Sequence, residues 1–581
     1  MVDKNNEYKI AVKRASDLQS QRKEVLGLPP EKAIDRILDA KHPAALIHSF
    51  PEEDLYFLVN DIGINDSLEI LALASDRQWE YLLDVELWEK DRIDTDAATR
   101  WFNMLFQAAP KRFIKWAVEK KEDFVEYYLY KNIMVAAREH DQDPSDFGEG
   151  FITFDDVYYI KILENPEYEF SGQEAEPEKE EEGKTERGEF IIKMLEKIAE
   201  YDYEKYRRML FESSSLLGAE MEEEFYRLRN IRLAEKGFLP FHEAAGIYSP
   251  LKPEKLVERK KVSKRKKEEF PLVPVPLYSF GMLKGENLFT MSLKRISADE
   301  SLKSLQIEFA SLCNRIIAAD YKNIKSKDEL KEVVGKACGY LSIGLERLSD
   351  INQSHLFELI EKYDVFQIFR NGFGAALELK ERAGKWIKKA WFTKAGLPLS
   401  FWGEEWMGVL GGLLIKKPLY FDNYRTGRIY REFEKLREIK EAEAALEDII
   451  ALDALLSLLN PDASKVNDRF FNHKKLLFTL FARFSLGLPN ELSPIPYDDF
   501  FRFYGGLWTG KGKVRRIGIS IKESFLGWLT EMTGLAASEL TDRFGMLFEG
   551  LFGELEDEYK KVAKHDLDPR YITLFLVEKK S

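Results

Sequence analysis

The stretch AALIHSFPEEDLYFLVNDIGINDSLEILALASDRQWEYLLDV, residues 44–85, decides the fold class. Pro51 opens a helix with Glu52, Glu53 and Asp54 in its first turn, where carboxylates meet the positive end of the peptide dipoles. Leu55, Leu58, Val59 and Ile62 follow at helical spacing and form one apolar stripe. Asp66 is placed to cap the next helix, which carries Leu68, Leu71 and Ala72. Ser75 and Gln78 have the spacing of a capping box ahead of Trp79, Leu82 and Leu83. Each helix is too short to persist alone in water, so each must bury its stripe against a neighbour.

The same punctuation continues on both sides. Pro29-Pro30 precede Glu31, with Ile34, Ile37 and Leu38 on one face. Asp94 or Thr95 starts a helix bearing Trp101, Phe102 and Leu105, and Pro110 starts another bearing Phe113, Ile114 and Ala117. Starts recurring at intervals of about 15 to 20 residues predict a stacked α-superhelix over residues 1–165. The turn-rich HDQDPSDFGEG, residues 140–150, interrupts it. Phe151–Phe154 and Val157–Ile160, on either side of Asp155-Asp156, predict a small β-hairpin near 151–160.

Residues 166–189 read as an acidic flexible linker, SGQEAEPEKEEEGKTERGE being its body. A helical segment at 190–250 carries Ile191, Ile192, Leu195 and Ile198, then Tyr206, Met209 and Leu210. Residues 251–276 form a basic, proline-rich connector, and 277–581 a larger helical C-terminal region. Within that region one helix is expected from about Tyr430 to Leu459, stopped by Asn460-Pro461. Val514–Ile521 and Tyr571–Val577 are the candidate strands. The fold class expected is therefore mainly α.

Residues 30–130, through Pro51-Glu52-Glu53-Asp54-Leu55 and the helix starts around it, resemble the N-terminal cytosolic domain of MgtE-type magnesium transporters. The resemblance implies a superhelix of short helices. In the transporters that domain helps sense magnesium by docking acidic surfaces against a neighbouring domain. The segment after 130 does not resemble that neighbour, so the likeness transfers the fold and not the magnesium function. The whole chain, with LRNIRLAEKGFLPFHEAAGIY (228–248) and VFQIFRNGFGAALELKERA (365–383), is similar to a bacterial family of mainly helical cytoplasmic proteins with no assigned function.

The chemical motifs each lack a necessary part. His242-Glu243-Ala-Ala-Gly246 has glycine where a zinc-binding helix needs its second histidine. Asp141, Asp143 and Ser145 match the first ligands of a calcium loop, but Asp146 replaces the turn glycine and Ile152 the bidentate glutamate. Gly505 to Lys511 fits a phosphate loop until Gly512 stands where Ser or Thr must hold magnesium, and Lys513–Ile521 reads as extended rather than helical. Arg259–Lys261 with Lys264–Lys267 is basic but has no interleaved aromatic residues for base stacking. Cys313 and Cys338 read as buried thiols, and Asn371-Gly-Phe-Gly374 is too short for a dinucleotide fingerprint. Trp386, Trp391, Phe392, Phe401, Trp402 and Trp406 read as core, with an exposed partner-binding patch as the alternative.

Composition narrows the classes further. The 581 residues carry a net charge of −14 and are 45% hydrophobic and 32% charged, with mean hydropathy −0.36. No apolar run approaches the length of about 18 residues that a membrane span needs. Two cysteines exclude a disulfide scaffold, the acidic balance argues against nucleic acid, and the polar N-terminus points to the cytoplasm. No residue is assigned as catalytic, cofactor-binding or metal-ligating, and no cofactor is named. The expected function is a cytoplasmic scaffold or regulator working by protein–protein contact. The alternatives are an enzyme or small-molecule binder with its site in the C-terminal helical region, and a magnesium-responsive regulator.

Overall fold

The computed structural model describes residues 4–89, 91–163, 181–236, 238–239, 241–259, 283, 287–296, 299–320, 324, 327–352, 356–464, 466, 468, 470–509 and 515–578. They are mainly helical, and none of their helices is long and apolar enough to cross a membrane. Two compact units divide the chain: Met1–Ser249 with Leu256–Cys338 and Ser354–Phe369, and Pro250–Lys255 with Gly339–Gln353 and Arg370–Ser581.

The first unit begins with α1 (Lys4–Leu26), α2 (Pro30–Leu38), α3 (Pro43–His48), α4 (Glu52–Ile62) and α5 (Leu68–Leu73). It continues with α6 (Asp76–Glu86), α7 (Thr95–Ala108), α8 (Pro110–Lys120) and α9 (Glu122–Asn132). Helices two apart in sequence pack together: α2 on α4, α3 on α5, α4 on α6, α5 on α7 and α7 on α9. This is how stripes too short to stand alone are buried. The start signals act locally. Pro30 and Pro110 occupy first helical positions, and Asp94 Oδ1 accepts from the amides of Asp96 and Ala97, both at 2.9 Å. The Ser75–Gln78 capping box closes in both directions, at 3.3 and 2.7 Å. Asp66 is not a cap: it lies in a 3-10 turn, Asn65–Ser67, and Ser67 precedes α5.

Strands β1 (Trp88–Glu89) and β2 (Arg92–Ile93) form a hairpin between α6 and α7. After α9 come β3 (Ile133–Ala137), β4 (Ile152–Thr153) and β5 (Tyr158–Ile162). The hairpin expected near 151–160 is present as β4–β5, but β3 joins it to give the order β3-β5-β4, with Ile133 opposite Ile162. Asp155 shapes its turn, accepting from the amides of Val157 and Tyr158 at 2.9 and 2.8 Å.

Helices α10 (Glu181–Tyr201), α11 (Tyr203–Ser213) and α12 (Gly218–Glu235) follow. Residues 181–189 of the acidic stretch are thus helical, and 164–180 lie outside the described residues. α10 packs on α7 and α8, α11 on α9, and α12 on α6, α9 and β2. Leu233 is the one buried residue of α12. Further on, α13 (Asp299–Asp320) carries Cys313 and α14 (Lys327–Asn352) carries Cys338. Both thiols are buried and neither is in a disulfide, and burial pushes Cys338 up to about 12.

In the second unit, α15 (Val365–Ile387) contributes its residues from Arg370 onward. Gly372 there meets Tyr340 and Gly344 of α14 so closely that a Cβ would lie 1.9 Å from the Tyr340 carbonyl oxygen. Gly372 of Asn371-Gly-Phe-Gly374 serves this backbone approach. Next are α16 (Gly403–Leu414), β6 (Tyr420–Phe421), β7 (Tyr430–Arg431) and α17 (Leu436–Leu459). The long helix expected from Tyr430 therefore starts later, because Tyr430 and Arg431 pair with β6. Asn460, left-handed at φ 41°, ends it. α18 (His473–Ser485), α19 (Tyr497–Gly506), α20 (Ile519–Thr533) and α21 (Ala537–Tyr559) complete the unit, with α20 packed on α17, α18 and α21. Of the candidate strands, only Arg516–Ile517 (β9) is one, paired with Trp508–Thr509 (β8). Ile519 already belongs to α20, and Tyr571–Val577 contributes a single bridge from Val577 to Ile495.

Candidate functional site

In the first unit, α6, α8, α9 and α12 leave an open cleft of about 340 Å³ between them. Helical spacing supplies its walls. Glu80, Leu83, Asp84 and Leu87 lie along one face of α6 and its end, Trp116, Glu119 and Lys120 along α8, and Phe225, Leu228 and Arg232 along α12. Trp88 from β1 and Phe124 from the first turn of α9 complete the lining.

The aromatic walls are held from behind. Trp116 meets Trp79 edge-on at 5.8 Å, Phe124 packs on Phe225 at 5.1 Å, and Trp88 on Tyr226 at 5.6 Å. Arg229 sits over the Trp88 ring at 5.3 Å, and Arg112 over Trp79 at 4.1 Å. Such contacts let a guanidinium keep its charge against a ring that would otherwise only exclude water.

The cations lining the cleft are all occupied. Arg232 grips Asp84 through two 2.7 Å hydrogen bonds, and Arg229 Nε donates to the Asp84 backbone oxygen at 2.6 Å. Burial works against the Arg232 charge, and the hydrogen bonds to Asp84 outweigh it; burial pushes the Asp84 carboxyl up, against the pull of Arg232. Lys121 pairs with Glu80, and Lys120 with Asp76 at 2.5 Å. Glu122 is taken by Arg208 and Lys205 of α11. Two carboxylates remain without a cation among the described residues. Glu119 accepts only the Tyr201 hydroxyl, at 2.7 Å, and exposed Asp123 has no partner. Behind them Glu126 is buried, and its burial, with Glu122, Asp123 and Glu212 nearby, pushes its carboxyl up to about 7. The cleft can bind by ring faces and by unpaired negative charge. Glu126 itself is not among the residues that line the cleft.

The motifs weighed in the sequence fall elsewhere. Asp143 accepts from the Ser145 amide at 2.9 Å and caps the turn Pro144–Phe147. Gly505 and Gly506 end α19, so a helix leads into the glycine-rich loop instead of emerging from it; residues 510–514 lie outside the described residues. So do residues 260–282, most of the basic connector, whereas Arg259 pairs with Glu308 and donates to the Tyr363 carbonyl at 2.9 Å. His242 falls in the short helix Phe241–Ala244. Among the described residues no three His, Cys, Asp or Glu side chains are grouped to hold a metal ion.

The six aromatic residues from Trp386 to Trp406 do come together, in the second unit. Phe401 and Trp402 are fully buried, and Trp406 stacks on His473 at 5.0 Å. Burial holds His473 down at about 3, and its Nδ1 lies 3.2 Å from the Phe401 carbonyl oxygen. Asp453 accepts from the amides of Trp391 and Phe392 at 3.0 and 3.1 Å. These contacts make it core.

What fold and site define together is a mainly α-helical protein with a charge-rimmed aromatic cleft in its first unit. The chain belongs to the family of unknown function DUF6178, whose profile matches residues 11–578. No curated protein and no solved structure matches it.

Proposed function

We propose that this protein is a scaffold or regulator whose first unit receives a protein partner in the cleft between α6, α8, α9 and α12. The observation that carries this reading is the pairing of an open aromatic wall with carboxylates left over after every lining cation is matched. Desolvated aromatic pockets beside unpaired charge are where binding energy concentrates at protein interfaces. The packing of alternate helices from α2 to α9 supports a superhelical reading of residues 1–165 like the MgtE N-terminal domain, and with it an extended surface around the cleft. Cytoplasmic residence is part of the proposal.

The test is affinity purification of the full chain from its source organism beside a Leu228→Glu variant. Leu228 lines the cleft and is 36% exposed, so a charge there blocks the wall and spares the core. A stoichiometric partner held by the parent and lost by the variant supports the reading. The same co-purifying set with both proteins refutes it.

An enzyme or small-molecule binder in the C-terminal region has one observation in its favour. A cavity of about 520 Å³ beside the end of α17 is lined by Leu480, Trp528 and Met532, and the buried Trp528 indole N–H has no partner there. The carboxylates around it are engaged, Asp468 by Lys475, Glu491 by Arg483 and Asp462 by the amide and hydroxyl of Ser464, which leaves binding better supported than acid–base chemistry. A tightly held metabolite released on denaturing the purified chain would move the assignment here.

A further inference from the structure

We propose that the guest of the first unit's cleft is an arginine side chain presented by a basic segment of a partner protein. This rests on the docking reading above and names its chemistry. Size comes first: about 340 Å³ is near the lower end of the range for ligand pockets, roughly 300–1,000 Å³, and suits a side chain better than a dinucleotide. Charge comes second. Lys120, Lys121 and Arg232 are each spent on carboxylates, so an incoming anion would find no free cation among the lining residues. An incoming cation finds Asp123 unpaired at the edge and Glu119 held only by a hydroxyl.

Aromatic chemistry separates arginine from lysine. Half-exposed Trp88, Phe124 and Phe225 line the cleft, and a planar guanidinium packs against aromatic surface while its edge hydrogen-bonds a carboxylate in two places. The protein already sets a guanidinium over a tryptophan ring twice in the same neighbourhood, Arg229 over Trp88 and Arg112 over Trp79, the latter also with Arg112 Nη2 on Asp76 at 2.7 Å. A compact, strongly hydrated ammonium gains less from such a surface.

The test uses the full chain and the peptides acetyl-Gly-Arg-Gly-amide and acetyl-Gly-citrulline-Gly-amide, with binding read by saturation-transfer NMR. Citrulline keeps the shape and removes the charge. The arginine peptide is expected to bind with a millimolar dissociation constant, and the citrulline peptide roughly tenfold more weakly. Asp123→Asn, at an exposed position that spares the fold, should weaken the arginine peptide several-fold and leave the citrulline peptide unmoved. Equal binding of the two peptides, or an arginine affinity unchanged by Asp123→Asn with the melting temperature retained, overturns the proposal. No binding of either peptide also overturns it. If Leu228→Glu nonetheless loses a partner in the purification, docking at the cleft stands and only its arginine chemistry falls.

Discussion

Replacing Gly372 by alanine tests the closest backbone contact in the second unit. An ideal Cβ there would lie 1.9 Å from the Tyr340 oxygen, 2.8 Å from the Gly344 nitrogen and 2.9 Å from the Tyr340 carbonyl carbon. All three are main-chain atoms inside α14, so no side chain can swing away. To reach an ordinary carbon–oxygen contact of about 3.3 Å the helices must part by more than about 1 Å, a distance close packing does not absorb. Nearby contacts would move with them: the Tyr340–Phe373 ring pair at 4.9 Å, Tyr340 Oη on Glu432 at 3.0 Å, and Asn371 Nδ2 on the Leu251 oxygen at 2.9 Å. Overpacking of this kind costs about 1–3 kcal/mol, and an immovable carbonyl places Gly372→Ala at the upper end. The helix preference of alanine over glycine returns about 0.5–1 kcal/mol, so the net loss should be about 2 kcal/mol. For a unit of this size that lowers the melting transition by roughly 4–8 °C, readable by differential scanning calorimetry. Gly384 is the internal control: it lies on the same helix with nothing within 4 Å of its would-be Cβ. Gly384→Ala should leave stability unchanged or raise it by up to about 1 kcal/mol. If the two variants melt alike, or Gly372→Ala melts above the parent, the steric argument is wrong.

Glu126 keeps its proton to about pH 7 in the fold against 4.5 when free, so the unfolded chain releases its proton first and stability falls as pH rises through that window. Glu126→Gln should therefore stabilise the protein by about 1–2 kcal/mol near pH 8, a figure discounted for solvent screening, and by nothing near pH 4; urea unfolding at both pH values decides it. Arg431 lies between Asp422, at 3.0 Å, and Glu438, at 2.7 Å, with both carboxylates largely buried. Arg431→Met strands two buried acids and should cost about 3–5 kcal/mol in urea unfolding, and a loss under about 1 kcal/mol sinks the idea. His473, held down at about 3, should stay neutral from about pH 5 to 8, so one histidine C2–H resonance should not move across that range. Because the unfolded chain takes up that proton first, His473 makes the fold lose stability as pH falls from 6.5 towards 3.

The parts of the fold that local chemistry dictates were legible in advance. Ser75 with Gln78, Asp94, Pro30 and Pro110 mark helix starts because the groups they satisfy lie within three residues, and each acts as its spacing implies. The extent of the sheet was not legible, because Ile133–Ala137 is as apolar as a helix stripe and becomes a strand only by pairing with Tyr158–Ile162. Tyr430 and Arg431 fall outside the long helix for the same reason: only their pairing with β6 makes them a strand. The cleft was invisible. Its α6, α8 and α9 walls lie close in sequence, but Phe225, Leu228 and Arg232 arrive from some hundred residues later, and α12 has no strong apolar face to announce where it docks. The one available signal was the acidic first turn of α9, Glu122-Asp123, whose excess charge no neighbour on its own helix balances.

The attachment of α12 has a consequence for how that wall behaves in different media. It has a single buried residue, Leu233, and is fastened by Arg232 and Arg229 on Asp84, by Glu222 accepting the Ile93 amide at 2.8 Å, and by Lys236 just past its end on Glu52 at 2.6 Å. Screening does not weaken apolar contacts, but partly exposed charge pairs weaken as the Debye length shrinks, from about 10 Å at 0.1 M to about 3 Å at 1 M. The ionic strength of the surroundings thus sets how tightly one side of the cleft is pinned, while the helices opposite it, fixed by Trp79, Phe102 and Phe113, stay where they are. Amide hydrogens of residues 218–235 should accordingly exchange with solvent faster in concentrated salt, and those of α7 and α8 should not.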